Sequence, residues 1–127
     1  MSLCVIAASV VDLYALYPWL DMPSHFAGGI AVTHFFRVAL ANAQAKIGRI
    51  PRAVQLALSL GLTVIAAVVW ELLEYLSDVA LGTTMTLGTA DTLSDLLFAM
   101  LGSLCVVGWH ATRRVKPFQS EQDCRNA

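Results

Sequence analysis

The chain has 127 residues, of which 57% are apolar and 13% charged, with a formal net charge of −1 and a mean hydropathy of +0.67. A soluble domain is about a quarter charged. A chain this short buries only about 60–70% of the surface its unfolded form exposes, so the composition argues against a water-soluble domain and for lipid as the solvent.

The same inventory removes other classes. No basic patch interleaved with aromatics supports nucleic-acid binding. The cysteines, Cys4, Cys105 and Cys124, make no CxxC pair and no disulfide framework. They read as small hydrophobes.

Four apolar stretches follow one another. The first covers about residues 3–19. It has no basic segment after Met1 and no small-x-small cleavage site, so it reads as a retained helix rather than a cleaved signal. Pro18 and Pro23 bracket the turn into the second, about residues 24–41. A polar, basic connection over residues 42–52 leads to the third, about 54–76. A Gly/Thr-rich loop at 82–89 precedes the fourth, about 92–109, whose Thr92-Leu93-Ser94-Asp95 has the form of a capping box. A membrane-crossing helix needs about 20 residues, with a lower limit near 17, and in lipid a helix satisfies its own backbone. The expected fold is all-α, an integral membrane bundle of four transmembrane helices over residues 1–115, with a polar cytoplasmic tail at 116–127.

Charge fixes the expected orientation. Lys46, Arg49 and Arg52 lie in the second connection, with Arg37 just before it; Arg113, Arg114, Lys116 and Arg125 follow the last stretch. Four crossings put all of them on one side, which the positive-inside rule makes cytoplasmic, together with both termini.

The acids fall at the other side. Asp21 and His25 stand where the second helix begins, Glu71, Glu74 and Asp78 where the third ends, and Asp91 and Asp95 where the fourth begins. Their spacings of three and four give each helix a titratable strip on one face. Ionisable groups inside membrane helices mark function by default. So many carboxylates around one imidazole repel one another strongly in a low dielectric. Some hold protons, some face water, or a cation sits among them. Carboxylates with one imidazole suit Mg, Mn, Fe or Zn, and four-helix bundles hold such ions on inward-facing side chains. Against this, Asp21 and Asp91 also suit helix N-termini, and Asp78 also suits solvent beyond the membrane edge. Asp12 reads as a helix–helix hydrogen-bonding residue, His34 and His110 as packing or interfacial residues, and Gly28, Gly29 and Gly102 as points of close helix approach.

Taken together, Asp21-x-x-x-His25-Phe26-x-Gly28-Gly29, Trp70-Glu71-x-x-Glu74-x-x-x-Asp78 and Asp91-Thr92-x-x-Asp95 followed by Gly102 resemble the small bacterial inner-membrane protein family typified by YjdF, VanZ-like in style. The resemblance covers roughly residues 20–105. It implies a multi-pass protein of the bacterial inner membrane and no settled activity.

Three functional expectations follow. The first is a divalent-metal site of a membrane hydrolase working at the outer face, with His25, Glu74, Asp91 and Asp95 as ligands and Glu71 as the catalytic base. The second is a non-enzymatic small subunit packed in a larger membrane complex or a homo-oligomer. The third is a proton or cation pathway. Neither Gly-x-Ser-x-Gly nor His-Glu-x-x-His occurs, so serine-hydrolase and zincin chemistry are not indicated.

Overall fold

The computed structural model describes residues 17–113. Nearly all of the expected first helix, including Cys4 and Asp12, and the tail with Arg114, Lys116, Cys124 and Arg125 lie outside the described residues. Among the described residues all regular structure is helical: a short 3-10 turn, Pro18–Leu20, then α1 (Asp21–Ile47), α2 (Arg52–Leu81) and α3 (Thr89–Thr112).

Each helix outruns the apolar stretch that announced it. Pro23 is tolerated in the first turn of α1 because the N–H groups there have no intrahelical partner. The helix then continues through the polar residues 42–47 and stops at Gly48, whose φ of 86° ends it. The side chain of Gln44 secures the turn by accepting the Ile50 N–H at 3.2 Å. Pro51 caps the start of α2, and Gly82, left-handed at φ 68°, closes its end. The expected capping box at Thr92–Asp95 is not formed. α3 begins earlier, after Gly88, and Asp91 reaches back to accept the Leu87 N–H at 3.0 Å. That leaves Asp95 free for the interior.

The packing is inverted relative to a soluble protein. Among the described residues the only buried apolar side chains are those of Leu56 and Ala99, whereas Thr33, Ser59, Thr63, Glu71, Asp95 and Ser103 are buried among the polar ones. Large apolar side chains such as Phe35, Ile65, Val69, Leu72 and Leu97 point outward. Lipid tails are as apolar as these side chains, so membrane helices associate through small residues and hydrogen bonds instead. α2 and α3 are long and apolar enough to cross a membrane, with mean hydropathies of 2.2 and 1.6 over their most apolar windows. Exposed aromatics stand near both ends of the bundle: Tyr17, Trp19 and Tyr75 at one, and Trp109 at the other. Such belts occupy membrane interfaces.

A small-residue seam joins α1 to α3, its most extensive packing partner. A Cβ on Gly29 would overlap the Ala99 carbonyl, and one on Gly102 the Phe26 carbonyl. Gly28, by contrast, faces open space. At the next turn, Thr33 Oγ1 donates to the Gly29 carbonyl at 2.6 Å and lies 2.7 Å from the Ser103 hydroxyl and 3.0 Å from that of Thr63. One oxygen thereby ties all three helices together.

Candidate functional site

The register of that seam assembles the site. His25, Gly29 and Thr33 succeed one another at four-residue steps on α1, as do Asp95, Ala99 and Ser103 on α3. Gly29 abuts Ala99, and Thr33 bonds Ser103. One turn toward the acidic end, the same parallel register brings His25 to Asp95, and these two share a cluster of ligand-type atoms with Asp21. α2 runs the other way. Thr63 meets Thr33, and eight residues further along α2 Glu71 meets His25.

His25 is therefore the hub. Its Nε2 lies 3.3 Å from Asp21 Oδ1, and its Nδ1 lies 3.8 Å from Glu71 Oε1. Two groups of candidate ligands share it: Asp21, His25 and Asp95, and His25, Glu71 and Glu74. Within each group the ligand atoms lie within 4.8 Å of one another. Two ligands held at 2.0–2.2 Å from one ion are at most roughly 4.4 Å apart, so the atoms of each group stand close to the separations that one ion imposes.

Burial separates these carboxylates from ordinary surface acids. Glu71 is 6% exposed and Asp95 2% exposed. Both oxygens of Glu71 and Oδ1 of Asp95 are sealed from solvent without a hydrogen-bond partner among the described residues. A buried carboxylate lacking partners is strongly disfavoured unless a cation or a proton compensates it. Glu74 is half-buried, and one of its oxygens is fixed by the Trp70 indole N–H at 2.8 Å. At 1.5 Å rise per residue, Glu71 lies about 15 Å in from the Leu81 end of α2 and Asp95 about 9 Å in from the start of α3. The cluster is thus set below the ends of the helices.

Of the expected ligands, His25, Glu74 and Asp95 fall in these groups, while Asp91 stands outside them and holds the Leu87 N–H. Glu71, expected as a base, itself belongs to a ligand group. Asp21 joins the Asp95 group, although its position at a helix start suited a cap equally well. Asp78 is not simply solvated. Its carboxylate accepts from the Thr83 hydroxyl, the Met85 N–H and both the N–H and hydroxyl of Thr86, and so organises the loop after α2. The signal for that role was the run of threonines just after Gly82, which supplies donors to a nearby Asp.

The chain matches the family model described as "Predicted membrane protein (DUF2238)" over residues 1–116. The chain belongs to this family. The match agrees with the inverted packing and with the expectation of a small membrane protein family. No curated protein and no solved structure matches the chain.

Proposed function

We propose that this chain is a multi-pass protein of the bacterial inner membrane that binds a divalent cation at the acidic end of its bundle, and that the bound ion serves hydrolytic chemistry at the outer face. Buried Glu71 and Asp95, which converge on His25 from two other helices and carry oxygens without a hydrogen bond among the described residues, support the reading. Carboxylates and one imidazole are the donor set of Mg, Mn, Fe or Zn. Such an ion lowers the proton affinity of a bound water and polarises a phosphoryl or acyl oxygen. A single ion takes one nitrogen of His25, so its ligands are either His25 with Asp95 and Asp21 or His25 with Glu71 and Glu74, and the remaining acids act on it through their charge. A Glu not engaged by the ion would serve as the proton acceptor of the site. Asp91, expected as a ligand, stands outside both groups and accepts the Leu87 N–H.

One observation favours a second reading. Both nitrogens of His25 face carboxylates, as they would if the ring were protonated and itself the neutralising cation. The site would then be a proton-holding network that ties three helices, as suits a proton pathway or a structural subunit.

Titration of the purified, chelator-treated protein with Mn2+, followed by electron paramagnetic resonance, separates the two. The metal reading expects saturable binding near one ion per chain, weakened about tenfold or more in His25→Ala and Glu71→Gln and unchanged in Asp78→Asn. Absence of saturable binding by the parent, for Mn2+ by resonance and for the diamagnetic Zn2+ by titration calorimetry, selects the protonated network.

A further inference from the structure

The opposite end of the bundle holds a second cluster of charge, of the other sign. Arg37 from α1, Ile50 from the connection, Arg52, Gln55 and Leu56 from α2 and His110 from α3 line a partly open cavity of about 350 Å³. That volume lies within the range of small-ligand sites, about 300–1,000 Å³.

The groups in the wall are arranged by the backbone. The guanidinium of Arg52 donates to the carbonyls of His110 and, at 2.8 Å, of Arg113. These are carbonyls at the end of α3 that lack helical partners, so Arg52 ties the start of α2 to the end of α3. Gln55 Nε2 donates to the Arg37 carbonyl at 3.0 Å and fixes α1 against α2. Arg37 is treated differently. Its Nε is sealed from solvent and donates to nothing among the described residues, nor does its side chain take part in any ion pair there. The described carboxylates, Asp21, Glu71, Glu74, Asp78, Asp91 and Asp95, all lie toward the far end of the helices. Two arginines and an imidazole thus face one cavity with no carboxylate beside them among the described residues. A guanidinium offers a planar fork of donors that matches a phosphate oxygen pair.

We propose that this cavity is an anion site for a phosphate group, with Arg37 as its principal ligand and Arg52, Gln55 and His110 as its walls. Two sources supply that chemistry at a basic membrane face: the headgroup of an anionic phospholipid and free inorganic phosphate. Basic pockets between membrane helices on the positive side suit such headgroups. The site is independent of the cation centre and stands whether or not that centre holds a metal.

The test uses the full chain in mild detergent, with native mass spectrometry counting bound phosphatidylglycerol against phosphatidylcholine, and inorganic phosphate as competitor. Retention of phosphatidylglycerol about tenfold above phosphatidylcholine is expected in the parent. Displacement by millimolar phosphate identifies free phosphate as a competent ligand; resistance to it identifies the headgroup. Arg37→Gln is expected to remove the preference, and Arg37→Lys, which keeps the charge but loses the fork, to lower it severalfold. Arg49→Gln, at an exposed basic residue of the same end, is expected to change it less than twofold. Equal retention of the two lipids by the parent, with no phosphate bound, overturns the proposal. So does an equal loss in Arg49→Gln and the Arg37 variants, since that describes diffuse surface charge.

Discussion

Substitution of Asp95 by Asn should change stability in opposite directions with and without metal. In the metal-free protein the Asp95 carboxylate is 2% exposed, has one unpartnered oxygen and clusters with Asp21 and His25. An uncompensated buried charge costs on the order of 3–5 kcal/mol in a protein interior. The nearby imidazole offsets part of this, and the Asn amide gains a donor for the neighbouring carboxylate. Asp95→Asn should therefore stabilise the chelated protein by about 1 kcal/mol. Metal reverses the order. At a free concentration 100 times the parent's Kd, the ion stabilises the parent by about 2.7 kcal/mol. A variant that binds about 100-fold more weakly gains only about 0.4 kcal/mol under the same conditions. The parent then leads by about 1.3 kcal/mol. Denaturant unfolding in mild detergent, with EDTA or with Mn2+, reads both differences. A variant less stable than the parent by the same amount in both conditions would make Asp95 a structural hydrogen-bonding residue and refute the reasoning.

The seam between α1 and α3 yields a paired prediction. Gly29→Leu places a side chain where the Ala99 carbonyl already lies and should cost about 3 kcal/mol or more, read as loss of the monodisperse species on size exclusion. Gly28→Ala, in open space, should be neutral or stabilise by up to about 1 kcal/mol, as Ala replaces Gly within a helix. Asp78→Ala removes the acceptor that gathers Thr83, Met85 and Thr86; proteolysis and amide exchange over residues 82–88 should accelerate while Mn2+ binding holds within twofold. Reporter fusions at Gly48 and Gly88 should lie on opposite sides of the membrane, with Gly48 cytoplasmic; both on one side would contradict the crossing of α2.

Hydropathy located three helices and placed their ends short. It detects the part of a helix that suits hydrocarbon, about 20 residues, whereas the hydrogen-bonded ladder of α1 runs on through Asn42–Lys46 until Gly48 breaks it. The segregation of acids and bases to opposite ends was legible because it depends only on order along the chain. The rotation of each helix was not. That Gly29 rather than Gly28 faces α3 follows from the fit against Ala99, which no single-helix pattern contains. Rotation also decides that Asp21, and not Asp91, shares a group of ligand-type atoms with His25. Thr92–Asp95 matched a capping box by sequence, but the helix begins one turn earlier, and a residue one turn inside can point inward. Arg52 was legible as a topogenic charge; its role in binding the last carbonyls of α3 depends on how two helices far apart in sequence end side by side.

The central claim, that the buried acids compensate their charge with a bound divalent ion, is met most directly by elemental analysis of the protein purified in mild detergent without chelator, beside Glu74→Gln and His25→Ala. The account predicts a near-stoichiometric divalent metal in the parent, diminished in Glu74→Gln and lost in His25→Ala. A metal-free parent, with both variants folded and monodisperse, would contradict it.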